Sequence, residues 1–315
     1  MYKSIFGSTL IILALHTPVY ASEAGAKPTV DRAILELPIT LPSGETVTLQ
    51  QFKGTKPLYL KFWASYCRDC LQQMPHLQEL HQKYGDRIQI VAVNLGVNED
   101  AKSVESVQKK FGLQMPIAVD KSGKLAKAFN LIATPYHVLL DGSSNIVYAE
   151  YAAPKNLDKT IKLVAAGQAL SVAHTAPTSA VSAINLGSLA EKPTALFFVA
   201  TWCDWYLKRS HPTVSRSCID SQNQVNKLAA QYPQINWVGV VTRLWTEDKD
   251  VSEYRKRFKV QHSLTIDNTN STFLAYEVKD FPTLIVLDKG KEVFRTRQID
   301  PIKVSSQLQQ VSPQK

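Results

Sequence analysis

A chain of 315 residues, 44% hydrophobic and 20% charged, has the length and apolar content for two domains that each bury a core. It is not the composition of a disordered or low-complexity protein. The formal charge of +9 comes from scattered Lys and Arg, without the extended basic stripe of a nucleic-acid binder. The densest groups, Lys109-Lys110 and Arg255-Lys256-Arg257, fall in helical-looking stretches and read as solvated faces, though a positive surface steers acidic partner proteins.

Residues 1–21 read as a secretory signal peptide: Lys3 opens it, an apolar run follows, and Val19-Tyr20-Ala21 precedes polar Ser22 and Glu23. The run from Ile5 to Leu15 is shorter than the roughly 20 residues a membrane span needs. A protein soluble after cleavage, in the periplasm or another extracytoplasmic space, is expected. Disulfides persist there, so four cysteines that include a Cys-x-x-Cys invite a redox reading.

Residues 28–165 form the first domain on this reading. A short hairpin turns at Ser43-Gly44, and 58–63 (Leu-Tyr-Leu-Lys-Phe-Trp) is the first core strand. Cys67 and Cys70 follow, then a helix with apolar Leu71, Met74, Leu77 and Leu80, which Pro75 kinks or begins. A strand over 88–95, helices over 100–111 and 122–129, Thr134-Pro135 and a hairpin of 136–140 and 145–150 complete a mixed α/β pattern. Residues 166–184 are the linker, with a short strand near 182–186. Residues 185–302 are the second domain, and 303–315 are a loose polar tail.

The second domain repeats the first. Phe198-Val199-Ala200-Thr201-Trp202-Cys203 stands beside Phe62-Trp63-Ala64-Ser65-Tyr66-Cys67 at an offset of 203 − 67 = 136. After the cysteines, Tyr232 answers Tyr84 at an offset of 148, and carrying that register back sets Cys218 opposite Cys70. Twelve residues thus lie inserted between the second pair, turning Cys-x2-Cys into Cys-x14-Cys and forming a loop over the site.

Disulfide exchange needs an attacking thiolate and a second thiol near enough to resolve the mixed disulfide. A cysteine where strand gives way to helix is exposed to the helix N-terminus, and one three residues on sits a turn behind it. The same spacing serves a structural disulfide or half a zinc site, but zinc needs two further ligands and no second Cys-x-x-Cys exists. No metal or cofactor is expected. Arg68 lowers the Cys67 pKa and Asp69 opposes it. Lys61 either points to the site or packs its stem with its amine in solvent. His137 reads as a packed histidine, and His211 as a residue able to tune the second pair.

Residues 62–70, with Met74-Pro75, Thr134-Pro135, the Gly44 hairpin and Phe52-Lys53-Gly54, resemble the TlpA/ResA-like branch of the thioredoxin superfamily. The resemblance recurs more weakly over about 185–300, where Phe281-Pro282-Thr283 takes the proline position. It implies two tandem thioredoxin-like domains, each a central mixed sheet flanked by helices. It also implies that Cys67 is the nucleophile, Cys70 the resolving thiol and Pro135 a cis proline beside them. Thr134, Trp202 and Pro282 become candidate substrate contacts. The partners it implies are exported proteins with thiols or disulfides and a membrane thiol–disulfide donor. Asp69 stands where the family usually has proline, Gln73 where it often has glutamate, and Lys61 where thioredoxin buries an acid. These changes act on thiolate stabilisation, so oxidant, reductant and isomerase all stay open. Cys203 and Cys218 read as a structural disulfide or a second redox pair. A partner-binding or chaperone-like role for the second domain is the alternative from another class.

Overall fold

The computed structural model describes residues 29–151, 155–168, 170, 184 and 192–312. The segment expected to be a signal peptide (1–21) and most of those expected to be a linker (166–184) and a short strand (182–186) lie outside these residues. No helix among those described is long and apolar enough to cross a membrane.

The first domain runs α1 (Arg32–Leu35), β1 (Pro38–Thr40), β2 (Thr46–Thr48), α2 (Leu49–Lys53), β3 (Leu58–Trp63), α3 (Arg68–Gln72), α4 (Met74–Tyr84), β4 (Gln89–Asn94), α5 (Ala101–Phe111), β5 (Ile117–Val119), α6 (Lys124–Ala128), β6 (Tyr136–Leu140), β7 (Ile146–Glu150) and α7 (Lys155–Ala165). Its sheet has the order β2-β1-β5-β4-β3-β6-β7. Central β3 is covered on both faces, and all six of its residues are buried. It pairs parallel with β4 and antiparallel with β6. Pro75 lies in the first turn of α4, where a missing N–H costs nothing, so it starts that helix and does not kink it. Gly44, at φ 91°, makes the β1–β2 turn.

The second domain runs β8 (Thr194–Val199), α8 (Cys203–Tyr206), α9 (Pro212–Gln231), β9 (Asn236–Thr242), α10 (Asp248–Phe258), β10 (Ser263–Asp267), α11 (Ser271–Ala275), β11 (Thr283–Asp288), β12 (Lys291–Thr296) and α12 (Pro301–Val311). The order β10-β9-β8-β11-β12 repeats that of β5-β4-β3-β6-β7. One apolar cluster runs through the first domain into the facing side of the second, taking in Phe198, Trp202, Cys203, Val240, Leu244 and Phe281. A smaller cluster fills the far side of the second sheet under α9 and α12.

Three expectations are corrected. The insertion between Cys203 and Cys218 is mostly helical and not simply a loop: α8 occupies its start, a turn spans 207–210, and Pro212 in the first turn of α9 begins that helix ahead of Cys218. Residues 303–311 are no loose tail, because Asp300 accepts the Ile302 and Lys303 N–H groups and starts α12, whose Val304 and Leu308 are buried. Arg257 is not simply a solvated cation. It pairs with Asp204 at 2.9 Å and donates to Thr201 O at 2.8 Å, tying α10 to the insertion.

Candidate active site

β3 ends at Trp63, and the chain turns through Ala64–Tyr66 into α3, with Cys67 as the residue that caps the helix. The Cys70 N–H donates to Cys67 Sγ at 3.2 Å, so one of the orphan donors in the first turn of the helix rests on the sulfur that would carry the thiolate charge. Cys67 and Cys70 are joined as a disulfide with Cα atoms 5.2 Å apart. The peptide bond before Pro135 is cis. Phe62 pairs with Tyr136 across β3 and β6, so one step further along the register Pro135 comes level with Trp63, where the redox loop leaves the sheet. Cys203 and Cys218 are also bonded, with Cα atoms 6.2 Å apart, and Pro282 is likewise cis. The second pair is set differently. Trp202 holds the cap position of α8 without a side-chain bond, and Cys203 lies inside the helix.

Three polar groups lie behind the first pair, two of them buried and Glu99 half-buried. Lys61, cross-strand neighbour of His137, is fully buried, and its amine donates to Gln73 Oε1. The Gln73 N–H in turn donates to Cys70 O at 3.2 Å, which places the amine under the end of α3. Burial pulls the Lys61 pKa down to about 7. The reading with its amine in solvent is therefore corrected: β3 is covered on both faces and leaves no route outward. His137 is a packed histidine, bonded through Nδ1 to Tyr59 OH at 2.7 Å, and burial followed by the Lys61 charge lowers its pKa to about 3. Glu99 accepts the Ser65 N–H and an Asn94 amide N–H, with its own pKa raised by burial. It holds the turn two residues before Cys67, and no sequence signal marked it.

The domains meet about a local pseudo-twofold axis. The Trp245 N–H donates to Ile132 O at 2.8 Å, and the Asn98 N–H donates to Lys279 O at 3.1 Å. The acceptors each lie three residues before a cis-proline. Donors, acceptors and prolines all match at one offset (245 − 98 = 279 − 132 = 282 − 135 = 147). Trp245 and Asn98 both sit at φ 49°. The Trp245 indole N–H also reaches Thr134 O at 3.3 Å, and Asn98 Oδ1 accepts the Phe281 N–H at 2.7 Å. Each domain thus lays the loop after its second core strand over the cis-proline edge of the other. On the axis Tyr66 packs against Trp202, ring centroids 5.9 Å apart. The Tyr66 hydroxyl donates to Val97 O and the Trp202 indole to Leu244 O, again matching pairs. Both residues immediately precede a cysteine, so the two disulfide-bearing turns face one another, and Cys67 is only 2% exposed.

Residues 27–163 match the family model described as Redoxin. The thiol-disulfide oxidoreductase ResA of Bacillus thuringiensis is 32% identical over 110 residues, which is 35% of this chain and 62% of the relative. The thioredoxin-like protein YneN of Bacillus subtilis is 38% identical over 100 residues, 31% of this chain and 58% of its own. The chain therefore covers less than two thirds of the length of these relatives. A secreted disulfide oxidoreductase of Mycobacterium tuberculosis, known as a crystal structure, aligns at a TM-score of 0.38 and 20% identity, over 43% of this chain and 99% of its own. Over residues 27–163 the chain is similar to the Redoxin family and to ResA, and the second sheet repeats the strand order of that domain.

The residues singled out from sequence fall into two groups. Cys67, Cys70, Thr134 and Pro135 gather at one end of the first sheet. Cys203, Cys218, Trp202 and Pro282 gather at the matching end of the second, and the interface presses the two ends together. His211 packs edge-on against Tyr66, centroids 5.5 Å apart. Besides Glu99, sequence did not mark Trp245, Asn98 or Arg243, which donates to Asn130 Oδ1 at 2.9 Å. Only the positive φ at Asn98 leaves a trace, since Asn tolerates it better than most residues.

Trp245 covers the edge of the first site, so a Trp245→Ala variant should open it. Truncating a partly buried aromatic at an interface removes on the order of 2 kcal/mol, enough for a tenfold or greater rise in the open population. Reduction of Cys67–Cys70 by a fixed dithiol concentration, timed by alkylation and mass, should accelerate by about that factor. An unchanged rate would show that the loop does not shield the disulfide.

Proposed function

We propose that this protein is an extracytoplasmic thiol–disulfide oxidoreductase acting on polypeptide substrates through Cys67 and Cys70. In the reducing direction, the Cys67 thiolate attacks one sulfur of a substrate disulfide. A mixed disulfide forms and one substrate thiolate leaves. The Cys70 thiolate then attacks Cys67 Sγ, breaking the mixed disulfide, freeing the second substrate thiol and leaving Cys67–Cys70 oxidised. Two electrons pass from the dithiol to the substrate, and a thiol–disulfide partner at the membrane returns them. The oxidising direction runs these steps backwards. The observation that carries the reading is the Cys70 N–H on Cys67 Sγ at a helix start, because it favours the thiolate over the thiol. The names of the ResA relatives support the same chemistry.

A second reading is favoured by the Tyr66–Trp202 contact, which sets the two cysteine-bearing turns against one another. In it, Cys203–Cys218 exchanges electrons with Cys67–Cys70 as an internal relay. A glutathione redox titration of the whole protein, with each pair followed by thiol trapping and peptide mass, tests both. A first-pair potential of about −120 to −180 mV marks an oxidant or isomerase, and one well below about −220 mV a donor-fed reductase. If Cys67–Cys70 resists reduction below about −300 mV it is structural, and the proposal fails. A second pair titrating near the first supports the relay, and one resisting below about −300 mV removes it.

A further inference from the structure

Resting on the exchange reading above, we propose that a groove between α3 and the helical insertion of the second domain is the docking site for the substrate polypeptide, and that the substrate segment flanking its cysteine is acidic. The groove has a volume of about 830 Å³ and runs directly beside the redox turn. One wall holds Arg68 and Asp69, the two residues between the cysteines. The other holds Trp205, Tyr206 and Arg209, which belong to the insertion that only the second domain carries.

The usual place for a substrate strand, beside the cis-proline, is already taken in both domains. Ile132 O and Thr134 O accept from Trp245, and Lys279 O accepts from Asn98. A polypeptide meeting this arrangement finds its open approach along the groove instead. The start of the insertion is anchored on two sides. Tyr206 OH accepts the Arg68 N–H at 3.3 Å, and Asp204 is held by Arg257.

The chemistry of the groove selects its occupant. Trp205 is 59% exposed, the one large aromatic so exposed among the described residues, and it shares the lining of the groove with Leu71 and Phe111. An exposed indole beside an apolar floor suits an apolar side chain from a partner. Around it, Arg68, Lys110 and Arg209 are exposed, and among the described residues none of them is in a salt bridge. Asp69 is the single carboxylate of the lining. Three cations against one anion favour a segment with Asp or Glu, and they raise its rate of encounter as well as its affinity.

The test uses two fluorescein-labelled peptides of equal length, each with serine in place of cysteine and a central Leu. In one the serine is flanked by Glu, in the other by Lys. Anisotropy titration of the full chain at low salt should give the Glu peptide an affinity roughly tenfold above that of the Lys peptide, with the gap closing as salt rises. Lys110→Glu combined with Arg209→Glu should abolish or invert the preference, whereas Trp205→Ala should weaken both peptides several-fold and leave the preference in place. Equal binding of the two peptides, a preference for Lys, or a preference untouched by the double reversal overturns the groove. The peptides carry no thiol, so binding is read apart from exchange. Charge-selective binding by a chain whose Cys67–Cys70 never exchanges would sink the oxidoreductase reading and spare the groove. Exchange without charge preference would do the reverse.

Discussion

Replacing Cys67 with serine should lower exchange with a protein disulfide by at least about a thousandfold, because a serine hydroxyl neither ionises near neutral pH nor forms a disulfide. Cys70→Ser should behave differently. Cys67 keeps its thiol and the N–H of residue 70, so the first attack proceeds, but nothing resolves the product and the enzyme stops as a mixed disulfide. Intact-mass analysis after mixing with an oxidised substrate should find an adduct of enzyme plus substrate on Cys67 in the Cys70→Ser variant. No such adduct should form in Cys67→Ser. If Cys67→Ser keeps a tenth or more of the activity, or the adduct appears on Cys203 or Cys218, the assignment of the attacking sulfur is wrong. The pair differs from Cys203–Cys218 in having a helix N–H aimed at its first sulfur, and the two variants read out that difference directly.

Lys61 carries the second large effect. Its pKa in the folded chain lies at about 7, against an ordinary 10.5. Between these values the unfolded chain binds the proton and the folded one does not, so stability rises with pH across that window. At and below about pH 7 the folded protein bears the whole cost of a buried ammonium, on the order of 3 to 5 kcal/mol. His137, its cross-strand neighbour, stays neutral there and offers no counter-charge, and the Gln73 amide supplies a dipole but no charge. Lys61→Met, of similar length, should therefore stabilise the protein by a few kcal/mol at pH 6, less the roughly 1 kcal/mol of the lost hydrogen bond. The gain should shrink through pH 8 and vanish near pH 10.5. Urea denaturation at pH 6, 8 and 10 measures it. A variant less stable than the parent at pH 6, or a difference that does not vary with pH, would contradict the buried-ammonium account.

Much of this was legible before any coordinates. The apolar run at 58–63 identified the central strand, since a strand covered on both faces needs no alternation. Cys67 and Cys70 were placed at the strand-to-helix step by their position alone, and the offset of 136 between two short motifs exposed the repeat. Errors came where polar composition stood in for structure. Residues 303–311 look like a tail until Asp300-Pro301 is read as a helix start with Val304 and Leu308 one turn apart. The insertion is expected to be a loop from the twelve-residue offset alone, and its Pro212 stands in the first turn of α9. Arg257 looked like a surface charge because its partner Asp204 is 53 residues away in the chain.

What the sequence by itself determined is local: which segments are strands or helices, where the cysteines sit on them, and that the pattern occurs twice. These follow from apolar periodicity and turn chemistry, which act over a few residues. Only the tertiary structure decided that Lys61 has no path to water and that Glu99 and Asn98 hold the turns. It alone showed each domain closing the proline edge of the other. Those facts depend on groups more than thirty and up to almost two hundred residues apart. Their hydrogen bonds and burial exist only after both sheets have formed and their ends have met, so no periodicity along the chain can encode them.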